Sequence, residues 1–128
     1  MTQNYGSISR NVADIAEDFT ALWQAGEFRQ AGEKYWADDI VSIEPSVGGA
    51  DVDTVCSGLD AVHAKYLRRA ATHGIEDLKL DGPFVTGNQF TWFADMFVAH
   101  GGRRTPHSEI AVFTVRDDKI IEERRFYD

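Results

Sequence analysis

Residues 113–128 run Phe113-Thr114-Val115-Arg116-Asp117-Asp118-Lys119-Ile120-Ile121-Glu122-Glu123-Arg124-Arg125-Phe126-Tyr127-Asp128. Asp117-Asp118 is a turn-forming pair between two strand-like runs, so this stretch reads as an antiparallel hairpin. Upstream, Gly87-Asn88 and Gly101-Gly102 are further turn pairs, and they cut the second half of the chain into strands near 75–85, 89–100, 106–116 and 119–127. Every connection is short, so neighbouring strands pair as hairpins in a meander.

Before Ile75 the period is helical. Ile8, Val12, Ile15, Ala16, Phe19, Leu22 and Trp23 make one apolar stripe, with Ser7 as N-cap and Gly26 as the stop. A shorter helix follows with Phe28, Ala31 and Tyr35 on one side, ending before Asp38-Asp39. A strand over 40–44 is then closed by Pro45. The segment 46–57 is a loop with a brief strand near Val55. Leu59, Val62, Tyr66 and Ala70 mark a third helix up to Gly74. Its Asp60 near the start and Arg68, Arg69 and His73 near the end complement the helix dipole.

The strand 89–100 carries Trp92, Ala94, Met96 and Val98 on one face. Phe93 and Phe97 are read beside Phe90 on the other, with Thr91 and Asp95. Two apolar faces exceed what helices on one side of an antiparallel sheet require. The expectation is a homodimer formed through the sheet face.

The 128 residues suit one domain, and 43% hydrophobic with 12% aromatic content supports a packed core rather than disorder. Thirteen basic against 21 acidic residues leave a net charge of −8. A field of that sign repels phosphate backbones and anionic lipid, so no nucleic-acid or membrane partner is expected. The one cysteine, Cys56, forms neither an intrachain disulfide nor a zinc cluster and suits a reducing compartment. The opening residues show neither a basic nor an apolar leader segment, and no run reaches the ~20 apolar residues of a spanning helix. The reading is a soluble, cytoplasmic protein.

Ala21-Leu22-Trp23-Gln24-Ala25-Gly26-Glu27-Phe28, followed by Tyr35-Trp36-Ala37-Asp38-Asp39-Ile40, resembles the helical opening of SnoaL-like proteins of the nuclear transport factor 2-like superfamily. Ser57-Gly58 before the third helix fits the same pattern, and 113–128 is similar to the family's last hairpin. The resemblance implies a single SnoaL-like domain over 1–128 of α+β class. Three helices in the N-terminal half would pack on a curved, mostly antiparallel sheet of cystatin-like type, forming a cone-shaped, mostly apolar pocket. The family includes polyketide cyclases, ketosteroid isomerases, dehydratases and epoxide hydrolases besides non-enzymatic carriers and interaction domains, so fold alone does not fix chemistry.

Ketosteroid isomerases of this fold place a general-base aspartate before a proline at the end of the first strand; Glu44-Pro45 matches that place. Glu44 can do the same work if burial raises its pKa toward neutrality; the alternative is a solvated strand-end carboxylate. The isomerases' two oxyanion donors fall on Phe19 and Ala111, which donate nothing, while Tyr66 matches a supporting tyrosine. If Ala111 faces the cavity, alternation adds His107 and Glu109 from one strand, and the alignment adds Glu123, Arg125 and Tyr127 from the last. Glu109 is then either the partner of Arg125 or a second carboxylate opposite Glu44. His107 suits acid–base work near neutral pH, or is simply a partly exposed strand-end residue. His63 and His100 are weaker candidates, and Asp95 belongs to the outer face.

Two functional readings follow. In one, a cofactor-independent isomerase, cyclase or lyase (dehydratase) acts on a small hydrophobic metabolite. Glu44 moves the proton, Tyr127, Arg125 or His107 polarises the substrate oxygen, and Phe19, Trp23, Tyr66, Trp92, Met96, Ala111 and Glu123 line the site. Trp36 adds to the aromatic wall. In the other, the same pocket is a non-catalytic ligand-binding or protein-interaction module. Two ligands at His107 and Glu109 do not make a metal site, so neither metal nor cofactor is expected.

Overall fold

The computed structural model describes residues 11–45 and 54–128. Asn11 caps the first helix, α1 (Val12–Gln24), its side chain accepting from the Asp14 backbone N–H at 2.8 Å. The expected Ser7 cap and Ile8 lie outside the described residues. Ile15, Ala16, Phe19, Thr20 and Trp23 form the buried stripe of α1. Helix α2 (Phe28–Tyr35) then runs without a loop into β1 (Trp36–Ile43). The strand therefore starts four residues before the expected Ile40. Trp36 already has extended backbone at ψ 130° and pairs with Ile120, and a register shift between Trp36 and Val41 carries the exposed Asp38-Asp39 outward.

The short β2 (Val55–Ser57) leads through Gly58 into α3 (Leu59–Thr72), and β3 (Gly74–Thr86), β4 (Gln89–His100), β5 (Arg103–Arg116) and β6 (Lys119–Phe126) follow as a meander. The sheet order is β2-β1-β6-β5-β4-β3, with β1 parallel to β6 and all other pairs antiparallel. The parallel pairing arises because α3 and the whole meander separate β1 from β6, so no tight turn constrains their direction.

Strand alternation divides the sheet, with one break in β6 at the register shift opposite Thr114 and Val115. Phe90, Trp92, Ala94 and Met96 of β4, Glu109, Ala111, Phe113 and Val115 of β5, and Ile120, Glu123 and Arg125 of β6 point inward and are buried. Phe90 is thus an inward residue, 1% exposed, and not a companion of Phe93; being even-numbered it shares the face of Trp92. Phe19 of α1 seals this face, its ring 4.9 Å from Phe113 and 5.9 Å from Phe90, while Phe90 and Phe113 stack at 4.8 Å. Burying an aromatic ring of this size contributes about 2–3 kcal/mol, so these contacts anchor α1.

On the outer face Phe93, Ile110 and Phe126 are register partners across β4, β5 and β6, and they are 39%, 45% and 49% exposed. Asp95 also lies there, accepting from the Ser108 hydroxyl. Among the described residues, no helix is long and apolar enough to cross a membrane.

Candidate functional site

One end of the inward face is apolar; the other is built from charge. From β1, alternation brings Ile40, Ser42 and Glu44 inward, all buried. From α3, Val62, Lys65, Tyr66 and Arg69 recur at three- and four-residue spacing, so one helical face carries two cations and a phenol over the strand carboxylates. From β5 and β6 come His107, Glu109, Glu123, Arg125 and, just past the strand, Tyr127.

These groups form one connected network. Lys65, 1% exposed, donates to Glu44 Oε2 at 2.7 Å and to the Ser42 hydroxyl, and Ser42 in turn donates to Glu123 Oε2 at 2.6 Å. Arg69 also donates to Glu44 Oε2 (2.6 Å), and Tyr127 donates to Glu44 Oε1 (2.7 Å). Arg125 spans the centre. It donates to Glu109 Oε2 at 2.7 Å, to Glu123 Oε1 at 3.0 Å and to the Tyr66 hydroxyl at 3.0 Å, while Tyr66 donates to Glu123. Its guanidinium carbon also lies 4.8 Å from the Trp23 ring centre and 5.4 Å from that of Trp92. His107 Nε2 sits 3.0 Å from Glu109 Oε1, and its ring meets Tyr127 edge-on at 5.0 Å.

The electrostatics follow from this pairing. Burial alone would raise the Glu44 pKa, but Lys65, then Arg69 and Arg125, draw it down from 4.5 to about 2. The condition for a basic Glu44, a pKa raised by burial, is therefore not met, because Lys65 and Arg69 contact the carboxylate and Arg125 adds its charge from further off. Glu109 moves the same way: burial opposes ionisation, and Arg125 and then His107 outweigh it. Tyr66 is pushed well up, chiefly by burial and partly by Glu123 and Glu44. Tyr127 is pushed up by burial and by its bond to Glu44. Both phenols stay protonated at neutral pH.

An ionised Glu109 offers only acceptors, so the His107–Glu109 contact is an Nε2–H donating to the carboxylate, and in the neutral ring Nδ1 is then the basic nitrogen. The His107 and Arg69 side chains are 25% and 35% exposed, and Tyr127 is half-buried. These three are the partly exposed members of an otherwise buried cluster.

The structure thus gathers Glu44, His107, Glu109, Glu123, Arg125, Tyr127 and Tyr66 into one network, in which Glu109 is ion-paired with Arg125. Trp23, Trp92 and Met96 border the cluster on the apolar side. Phe19 and Ala111 lie fully buried in the aromatic core. His63 sits against Gly32 and Trp36, and His100 stacks on His73 at 4.1 Å, both apart from the network. Surface depressions of about 640 Å³ beside Asp14, Asp18 and Lys34, and of about 280 Å³ beside Trp36, Leu59 and Arg116, also lie away from it. Among the described residues, no group of three or more His, Cys, Asp or Glu is placed to hold a metal.

Sequence reasoning missed three members. Ser42 was signalled by the parity of Glu44, two residues on. Lys65 falls on the same helical stripe as Val62 and Tyr66, where an apolar residue is the default, and a buried lysine is rare enough to hide there. Arg69 reads from the sequence only as a charge near the helix end.

The SnoaL-like domain family profile matches residues 10–127. A crystal structure of a candidate SnoaL-like polyketide cyclase from Mesorhizobium loti is 35% identical, covering 91% of this chain and 99% of its own, with a TM-score of 0.84. TerC co-crystallised with polyporic acid is 13% identical over 91% of each chain, with a TM-score of 0.75. A Catenulispora acidiphila protein of ketosteroid isomerase-like fold in complex with trimethylamine is 14% identical over 94% of this chain and 87% of its own, with a TM-score of 0.66. No curated protein gives a match.

Proposed function

Because the chain belongs to the SnoaL-like domain family, we propose that it is a cofactor-independent acid–base enzyme of cyclase or isomerase type in which His107, rather than Glu44, carries the proton. The observation behind this reading is the His107–Glu109–Arg125 chain. A partly exposed imidazole is oriented by a carboxylate that is itself clamped by a buried arginine at 2.7 Å. A general base works best with a pKa near the operating pH, and a carboxylate held at about 2 is too weak for that work. Glu44 instead positions Arg69 and Tyr127 at the partly exposed edge of the cluster.

The substrate class is a small, largely apolar molecule with an enolisable carbonyl, consistent with the polyketide cyclase description of the Mesorhizobium loti relative. His107 Nδ1 takes a proton from the carbon next to the carbonyl, Glu109 stabilises the imidazolium, and a free Arg69 N–H faces the enolate oxygen. We place the substrate against the partly exposed edge of the cluster, between Arg69, His107 and Tyr127. A second copy of the chain covers the outer face along Phe93, Ile110 and Phe126, and the lone Cys56 fits a reducing, cytoplasmic setting.

The test needs no knowledge of the natural substrate. The protein should accelerate deuterium uptake from D2O into the α-carbon of 2-tetralone, read by proton NMR. His107→Gln should lower the acceleration by at least about 100-fold, the lower end of what a positioned acid–base group contributes. Glu44→Gln, which alters a positioning anion and leaves the proton carrier in place, should lower it by much less than His107→Gln. Undiminished exchange in His107→Gln contradicts the assignment.

A second reading is a non-catalytic ligand-binding or interaction module. It is favoured by the internal balance of the cluster: Glu44, Glu109 and Glu123 are each matched by Lys65, Arg69 or Arg125. Ligand binding with no exchange activity in the wild-type protein selects it.

A further inference from the structure

His107 is held by β5, but its ring is not thereby aimed. Its backbone pairs with Met96 of β4, while the imidazole turns about a broad, roughly two-fold side-chain torsion. The bond from Nε2 to Glu109 Oε1 at 3.0 Å is one restraint, and a ring held at one nitrogen still swings about that bond. The Tyr127 ring supplies a second restraint, meeting the imidazole at 66° with ring centres 5.0 Å apart.

Tyr127 needs an anchor of its own. Strand β6 ends at Phe126, and its ladder with β5 stops at the Ile110–Phe126 pair, one residue short of Tyr127. The phenol instead donates to Glu44 Oε1 at 2.7 Å. Lys65 and Arg69 both bind Oε2 of that carboxylate, at 2.7 and 2.6 Å, which leaves Oε1 to the phenol. Glu44 directly follows β1 and is 4% exposed. A buried anion clamped by two side chains of α3 therefore fixes a ring that lies past the end of the sheet.

We infer that Tyr127 is a positioning residue: tethered through its hydroxyl to Glu44, it holds the His107 imidazole in the orientation that gives Nε2–H to Glu109 and presents Nδ1 as the basic nitrogen. This deepens the proposed function and rests on its assignment of His107 as the proton carrier. A half-turn of the imidazole exchanges Nε2 with Cε1 and Nδ1 with Cδ2, so it removes both the bond to Glu109 and the base. Glu44 then serves the reaction through the phenol and the imidazole without exchanging a proton.

Tyr127→Phe keeps the ring and removes the tether. Long-range ¹⁵N–¹H spectra of the imidazoles in alkaline buffer read the His107 tautomer without any substrate, and His107→Gln assigns its signal among the four histidines. Wild type should show His107 as the Nε2–H form alone. Tyr127→Phe should mix in the Nδ1–H form, and its kcat for deuterium exchange into 2-tetralone should fall about tenfold with KM changed by less than about twofold. Glu44→Gln, which keeps an acceptor for the phenol, should keep the single tautomer. A single tautomer in Tyr127→Phe overturns the inference whatever the rate does, and so does a mixed tautomer with kcat unchanged. Absence of exchange in the wild type contradicts the proposed function instead, and the tautomer spectra still decide whether Tyr127 aims the ring.

Discussion

Lys65 stands at the centre of the balance of charge inside the molecule. Its ammonium meets Glu44 at 2.7 Å and lies 3.8 Å from Glu123, with all three side chains essentially fully buried. Such an arrangement is weak evidence of net stabilisation over an apolar core, because desolvating the charges offsets most of their attraction. Removing one member is a different matter, since it strands the others. Lys65→Met should therefore cost about 3–5 kcal/mol of unfolding free energy in urea denaturation, and adding Glu44→Gln should cost less than the sum of the single changes. A loss below about 1 kcal/mol would mean that Lys65 does not hold the carboxylates. The acid limb follows with a definite sign. A carboxylate whose folded pKa is lowered from 4.5 to about 2 contributes stability that is fully present above pH 4.5 and is lost as pH falls toward 2. The difference is roughly 3 kcal/mol, and most of it should disappear in Lys65→Met.

The junction of α2 and β1 explains why one face of β1 is fixed well enough to aim Ser42 and Glu44. Helix passes directly to strand at Trp36, and Gly32 makes room for that indole: a Cβ on Gly32 would lie 2.3 Å from Trp36 Nε1 and 3.1 Å from His63 Cε1. A glycine inside a helix normally costs about 1 kcal/mol relative to alanine, so Gly32→Ala would be stabilising on propensity alone. Here overpacking wins, and Gly32→Ala should destabilise by about 1–3 kcal/mol, read as a melting temperature lowered by several degrees. A raised melting temperature would show that Trp36 moves aside freely.

This junction also marks how far local pattern carries. Amphipathic spacing and turn pairs located the helices and the meander because each is encoded within a dozen residues. The early start of β1 depends on pairing with Ile120, more than eighty residues away, which no local window contains. The same distinction runs through the site. His107, Glu109, Glu123, Arg125 and Tyr127 were legible from alternation on two adjacent strands and an alignment of their ends. The direction of the Glu44 pKa was not, because it is set by Lys65 and Arg69 on another element. Burial and nearby charge act with opposite sign, and only the packing of α3 on β1 decides between them.

The fold as a whole has two unlike sheet faces. Inside, helices and paired charges fill the concave side; outside, Phe93, Ile110 and Phe126 form an exposed apolar row across three strands. Light scattering during size-exclusion chromatography should give a dimer at micromolar concentration, and Ile110→Lys should give a folded monomer. A monomeric wild-type protein would leave that row without its proposed partner. The inner face carries the account of function, which stands on Glu44 being a fixed anion and not a proton carrier. Carbon-detected NMR of the glutamate carboxyl carbons against pH reads this directly. The Glu44 signal should stay at its ionised position from neutrality down to about pH 4, in keeping with a pKa of about 2. A Glu44 signal that titrates at or above the ordinary glutamate range would contradict the account and return the general-base role to Glu44.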